Sequence, residues 1–248
     1  MSELSGRTAI VVGASRGLGR GIAQAFAQAD VSVVAVARSG PALAGLAATE
    51  EKIQAEVADA ADPTAAWELI DRYAPNILVL VAGANPVMRP LQHHTWETFS
   101  ANWNSDVKIA FTWLREALLK PLPPGSRVVA LSSGAALNGS PASGGYAGSK
   151  ATQRFIAGYA QEEFRTAGQD VTVTTVMPRM TPYGDVGRRG VRAYAARTGQ
   201  SEEAYLTQLG SVLTPEIAGT SLVGLVQADP TTLASGYVLT GAGLQPVP

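Results

Sequence analysis

The sequence predicts an α/β protein built on one doubly wound parallel sheet. Three observations point there. Apolar runs without alternation, such as residues 8–12 and 77–82, suit strands buried on both faces. Stretches with helical spacing alternate with these runs along the chain, as crossovers between parallel strands require. The first run leads directly into Gly13-Ala14-Ser15-Arg16-Gly17-Leu18-Gly19, and Ile22, Ala23, Phe26 and Ala27 then recur at helical spacing. Strand, glycine turn and helix in that order make a phosphate site: glycines let the backbone approach the anion, and the helix N-terminus favours its charge. The glycine spacing is G-x-x-x-G-x-G rather than G-x-G-x-x-G.

The remaining elements follow in order. Residues 31–37 read as a second buried strand ending at Arg38-Ser39. In such a sheet this strand end reads the adenosine ribose of a dinucleotide, where an acidic residue pairs with a free 2′-hydroxyl and an arginine suits a 2′-phosphate. Arg38 here and Arg16 in the glycine turn put two cations near one phosphoester, which favours NADP(H) over NAD(H). Residues 41–50 read as an alanine-rich helix and 53–57 as a third strand followed by Ala58-Asp59. Asp62-Pro63 caps and opens a helix through Tyr73. The fourth strand, 77–82, ends at Gly83. Residues 95–119 are helical with a break near Asn102-Trp103-Asn104, and Trp96, Phe99, Trp103, Phe111 and Trp113 are expected to pack rather than to cage a ligand. After a loop at 121–125, a fifth strand ends at Leu131, a helix runs from Tyr146 to about Arg165, and 171–176 form a sixth strand. A helix at 215–227 and a short strand at 237–239 close the fold. Right-handed crossovers would bring the ends of strands one, four, five and six to one edge. Residues 181–213 break the rhythm: they are long, polar and carry Arg188, Arg189, Arg192 and Arg197. A stretch of that kind predicts a substrate lid, the alternative being a solvated helical pair.

Composition excludes several function classes. At 248 residues and 46% apolar content the chain can bury the core of one α/β domain. A net charge of −1 with scattered basic residues predicts no nucleic-acid or acidic-membrane partner. The absence of cysteine removes disulfides, thiol catalysis and thiolate metal sites. The two histidines, His93 and His94, are adjacent, which is poor spacing for a metal, so no metal site is expected. The N-terminal residues show no signal-peptide pattern, and no apolar run is long enough to span a bilayer. The expectation is a cytoplasmic protein.

Tyr146 and Lys150 lie one helical turn apart on one face, and Ser133 follows the apolar run that ends the fifth strand. A phenol is a poor proton exchanger at neutral pH, and a fixed ammonium beside it favours the phenolate. The phenol can then exchange a proton with a substrate oxygen that Ser133 holds by a hydrogen bond. This suits carbonyl/alcohol interconversion if a hydride is supplied.

Gly13-x-x-x-Gly17-x-Gly19, Ser133, Tyr146-x-x-x-Lys150 and the terminal Gly241-Ala242-Gly243 together resemble the short-chain dehydrogenase/reductase family over nearly the whole chain. The resemblance implies a single Rossmann domain spanning residues 1–248, strand order 3-2-1-4-5-6-7, a nicotinamide cofactor, and a homodimer or homotetramer. It implies Tyr146 as general acid/base, Lys150 on the nicotinamide ribose hydroxyls, and Ser133 orienting the substrate carbonyl. Gly13, Ser15, Arg16, Leu18 and Gly19 would line the phosphate turn, Asp59 would meet the adenine, Gly83 the adenosine ribose, and Pro178 to Thr181 the carboxamide end. Three departures stand out. Leu80-Val81 replace the usual Asn-Asn before Ala82-Gly83, so the ties of that strand end must come from elsewhere. Arg179 replaces the glycine usual after Pro178. Asp106 stands where the family has the asparagine whose backbone carbonyl holds a proton-relay water, and an ionised Asp106 near Lys150 should raise the lysine pKa. The expected activity is NADP(H)-dependent reduction of a ketone or aldehyde. The rivals are a non-catalytic NADP-binding regulator, a non-redox dehydratase or epimerase, and an imine reductase on the same fold. Substrate-pocket residues are expected around 85–88, 137–144 and 181–213, which carry no readable code.

Overall fold

The computed structural model describes residues 4–247. Eight strands form one sheet: β1 (Thr8–Val12), β2 (Ser32–Ala37), β3 (Ile53–Val57), β4 (Ile77–Leu80), β5 (Ser126–Leu131), β6 (Val171–Pro178), β7 (Gly236–Thr240) and β8 (Gly243–Pro246). Their order is β3-β2-β1-β4-β5-β6-β7-β8, and the first seven pair in parallel. The eighth strand departs from the expected all-parallel sheet. It pairs antiparallel with β7, because a two-residue connection can only fold back as a hairpin. Gly243, at φ 96°, takes the left-handed conformation that this turn needs.

The helices are α1 (Gly17–Gln28), α2 (Gly40–Ala47), α3 (Pro63–Tyr73), α4 (Trp96–Asn102), α5 (Lys108–Leu119), α6 (Ala135–Asn138), α7 (Tyr146–Thr166), α8 (Asp185–Thr198), α9 (Glu202–Gln208) and α10 (Pro215–Gln227). They cover both faces of the sheet. Ile22 and Phe26 of α1, Leu43 of α2 and Leu222 of α10 pack with Val11 on one face. Leu69 of α3, Trp113 of α5 and Phe164 of α7 pack with Ile10 and Val12 on the other. Neighbouring residues of β1 thus enter opposite cores, which is why the strand sequence is apolar without alternation.

Local chemistry sets the boundaries. Asp62 caps α3 by accepting from Thr64 N, and Pro63 occupies the first turn, as expected. β4 stops at Leu80, two residues early, because Val81 and Ala82 both turn their N–H groups onto Val12 O. The expected helix break is a π-helical turn, Trp103–Val107, between α4 and α5. The aromatics divide: Trp113 is fully buried with its indole N–H on Ala60 O, whereas Trp96, Trp103 and Phe111 are exposed, against the packing expectation. Residues 181–213 contain α8 and α9, with Gly199 in the left-handed conformation ending α8 and Ser201 capping α9.

Gly21 of α1 faces Gly219 of α10 where the two helices touch. A Cβ on Gly21 would come 2.3 Å from Pro215 O, and one on Gly219 would come 2.6 Å from Gly21 O. Gly21→Ala should therefore destabilise the protein by about 1–3 kcal/mol, the usual range for overpacking. A urea midpoint equal to that of the unsubstituted protein would show that the helices can part without loss.

Candidate active site

The C-terminal ends of β1, β4, β5 and β6 border one cavity of about 900 Å³. It is lined by Ser133, Tyr146, Lys150 and Asp106, and by Gly13, Ser15, Arg16, Leu18, Gly19, Arg38, Asp59, Gly83, Pro178 and Thr181. Every site residue singled out in the sequence therefore lines the same cavity. The parallel sheet explains this, since all its strands deliver their C-terminal ends to one edge.

The glycine turn closes tightly at one end. Gly13 sits at φ 98°, and a Cβ there would lie 2.6 Å from Ala82 N. A Cβ on Gly19 would lie 2.2 Å from Gly13 O, so only glycine lets α1 start this close to β1. Arg16 occupies the N-cap of α1 without a side-chain cap bond, and the first turn holds no acidic residue. A helix start left in that state, bordered by the glycine turn, suits an anion. A dinucleotide pyrophosphate fits this cradle.

At the other end lie Tyr146 and Lys150, on the first two turns of α7. Lys150 Nζ is 5.6 Å from the Tyr146 ring centroid. Ser132 Oγ donates to Lys150 O at 2.7 Å and ties β5 to α7, while its neighbour Ser133 borders the cavity. Lys150 also lies 3.1 Å from Asp106 Oδ2, with both side chains buried. Three donors converge on Asp106 Oδ1: Ala84 N at 2.7 Å, Ser105 Oγ at 2.7 Å and Asn102 Nδ2 at 3.4 Å. Oδ2 has no aligned hydrogen bond, so its contact with the ammonium is an ion pair. Burial pulls the Lys150 pKa down, but the Asp106 carboxylate and Tyr146 push it up, and the net direction is upward. That is the direction expected for an ionised Asp106.

The same cluster replaces the missing Asn-Asn ties. Asp106 accepts from Ala84 N, and Asn102 Nδ2 donates to Ala84 O at 3.0 Å, so the π-helical turn grips the chain after β4. Gly83 makes room for this, because a Cβ there would stand 2.8 Å from Asp106 Oδ2. The Asp106 backbone carbonyl accepts from the buried Gln153 Nε2 at 2.9 Å. The atom expected to hold a water thus already has a side-chain donor. Gln153 went unnoticed in the sequence, although it lies three residues after Lys150 on the same helix.

The segment after β6 meets the glycine turn. Thr181 Oγ1 donates to Leu213 O at 2.7 Å and joins the segment's two ends. Asp185, the first residue of α8, forms an ion pair with Arg16 and a second, at 2.7 Å, with Arg188. Tyr194 of α8 shares a 2.7 Å hydrogen bond with Ser140 Oγ and stacks on Tyr205 of α9 at 6.4 Å between ring centroids. Both tyrosines border the cavity, and neither had a sequence signal beyond lying in the long polar segment. Arg188 and Arg192 are largely exposed, in keeping with solvent-facing arginines. The ring nitrogens of His94 meet Thr98 Oγ1 and Arg89 O, both at 3.2 Å. Among the described residues no helix is long and apolar enough to cross a membrane.

Comparison with known proteins gives a consistent result. A family model described as short chain dehydrogenase matches residues 7–189. The hydroxynaphthalene reductase-like protein Arp2 of Metarhizium robertsii is 28% identical over 187 residues, covering 71% of this chain and 68% of that protein. The short chain dehydrogenase/reductase dpmpG of Macrophomina phaseolina is 33% identical over 153 residues, covering 56% of this chain and 86% of that protein. A short chain dehydrogenase/reductase of Aspergillus aculeatus, AacuD, is 32% identical over 174 residues, covering 65% and 61%.

Proposed function

The chain belongs to the short-chain dehydrogenase family, and from that premise we propose that it is an NADP(H)-dependent oxidoreductase interconverting a carbonyl and an alcohol, with Tyr146 as general acid/base. One observation carries the reading: a phenol beside a buried ammonium borders, together with Ser133, the same cavity as an anion-ready glycine turn. The glycine turn, Ser15, Arg16, Leu18, Arg38, Asp59 and Gly83 would hold the nucleotide, with Pro178 and Thr181 at its nicotinamide end. A bound nicotinamide supplies or accepts the hydride. Tyr146 then gives its phenolic proton to the substrate oxygen in reduction, or takes it back in oxidation. Ser133 Oγ holds that oxygen, and the Lys150 ammonium stabilises the phenolate left by proton transfer. Asp106 acts as a positioning residue that holds Lys150.

Residues 181–213 are read as the lid, because they border the cavity and are tied across it through Arg16 and Ser140. A substrate with an aromatic ring is favoured by the stacked Tyr194 and Tyr205 and by the name of the Metarhizium relative. A second copy of the chain is the partner favoured by the exposed Phe155 and Tyr159, one turn apart on α7, and by exposed Phe111 on α5. Sedimentation giving a monomer at micromolar concentration would remove that partner.

The activity is tested with a panel of ketones and aldehydes, together with hydroxynaphthalenes, which offer a carbonyl as their keto tautomers, each with NADPH and with NADH. NADPH consumption with at least one carbonyl is expected. Substrate conversion without nucleotide turnover would favour a dehydratase or epimerase, and nucleotide binding without any conversion a regulator. Hydrogen bonds to a charged group contribute about 1.5–3 kcal/mol each, so Arg38→Ala should lower the NADPH-over-NADH preference by about 10- to 100-fold. An unchanged ratio would refute the 2′-phosphate reading of Arg38.

A further inference from the structure

Arg16 and Asp185 are 169 residues apart in sequence, yet they form an ion pair at the rim of the cavity. The two backbones approach closely there as well: a Cβ on Gly17 would lie 3.8 Å from Gly184 Cα. Arg16 is a residue assigned above to the 2′-phosphate, so its guanidinium has two claimants. The Arg16 side chain is 65% exposed, which leaves it free to swing between them. Asp185 has a partner in reserve, since Arg188 Nη2 donates to its other oxygen at 2.7 Å. Giving up Arg16 therefore does not leave the carboxylate without a cation. Arg38, exposed at the end of β2, has no ion-pair partner among the described residues and needs no release.

We propose that Asp185 is a specificity-determining residue that competes with the 2′-phosphate for the Arg16 guanidinium, so that it weakens binding of the phosphorylated nucleotide and leaves the unphosphorylated one unaffected. A nucleotide without the 2′-phosphate leaves the Arg16–Asp185 pair intact. One that carries it must take Arg16 away and detach the start of α8 from the glycine turn. This inference rests on the proposed NADP(H) reading. An exposed pair of this kind is weak, so the competition amounts to a factor of about two to five in affinity.

The test is a set of dissociation constants for NADPH and NADH, measured by nucleotide fluorescence on the full chain, for the unsubstituted protein, Asp185→Asn, Arg16→Gln and the double variant. Asp185→Asn should tighten NADPH by about two- to five-fold and leave NADH unchanged, and the gain should vanish in the Arg16→Gln background. An equal change for both nucleotides would mean that Asp185 acts on lid closure alone and would overturn the proposal, as would no change for either. If Arg16→Gln leaves the NADPH-to-NADH ratio where it was, the 2′-phosphate reading of Arg16 fails and the Asp185 role falls with it. If Arg16→Gln lowers the ratio and Asp185→Asn does nothing, only the Asp185 role falls. The NADPH gain persisting in the double variant would also overturn the proposal, by assigning it to something other than Arg16.

Discussion

Tyr146→Phe is expected to lower kcat/KM by about 10²- to 10⁴-fold while the dissociation constant for the nucleotide stays within about twofold. That span is the usual contribution of a positioned general acid or base. The substitution removes one hydroxyl and keeps the ring beside Lys150, so the packing of α7 should survive. The split between catalysis and nucleotide binding is what identifies the role. A Tyr146 that merely filled space would leave kcat unchanged on loss of its hydroxyl. Loss of nucleotide affinity in step with kcat would instead mean that the hydroxyl serves binding. Steady-state kinetics and a fluorescence titration on the same preparation separate these outcomes.

Asp106→Ala is expected to destabilise the protein by about 3–5 kcal/mol, the range for removing one partner of a buried ion pair. Lys150 would be left buried without its counter-ion, and Ala84 N, Ser105 and Asn102 would lose their shared acceptor. At roughly 2–4 °C per kcal/mol for a chain of this size, the melting temperature should fall by about 6–20 °C. Adding Lys150→Met to Asp106→Ala should recover much of the loss, because an apolar side chain of similar length has no charge to leave stranded. A double variant as unstable as the single one would show that the donors on Oδ1, and not the ammonium, set the effect. The pH dependence has a definite sign. The folded-state pKa of Lys150 is raised above its ordinary 10.5, so its contribution to stability is fully present below 10.5 and is lost as pH rises through the folded value. In Asp106→Ala burial acts on Lys150 without the opposing carboxylate and lowers its pKa, so the gap in stability between the variant and the unsubstituted protein should begin to narrow below 10.5, as pH rises through that lowered value.

Legibility in the sequence differed by kind of residue. The glycine turn could be read directly from its spacing, and Gly19 answers to short-range sterics against Gly13 O, whereas the crowding of Gly13 against Ala82 is a contact with the chain after β4. Tyr146 and Lys150 were likewise visible, because four residues on one helix is a geometric statement. The break in the 95–119 helix was placed correctly but not its nature. Asn102, Trp103 and Asn104 signalled a weak point, whereas the π-helical turn depends on Asp106 reaching Ala84 and Lys150. Trp96, Trp103 and Phe111 were misjudged for a related reason. Their apolar character says that they gain from burial, but not which face of a helix this chain itself covers. β8 escaped because Gly243–Pro246 is short, ends in proline and takes its strand character from pairing with β7.

What the sequence alone determined is therefore the part governed by local rules: strand–helix alternation, the phosphate turn, and one helix face carrying phenol and ammonium, with the strand order implied by the family resemblance. Only the tertiary structure decided which side chains from distant segments share charge. Asp106 against Lys150, Gln153 on the Asp106 carbonyl, and Asp185 on Arg16 join elements separated by a strand or more. Periodicity fixes which face of an element a residue occupies, but a contact between two elements depends on how both dock on the sheet, and that is set by the packing of the whole core rather than by any stretch of sequence.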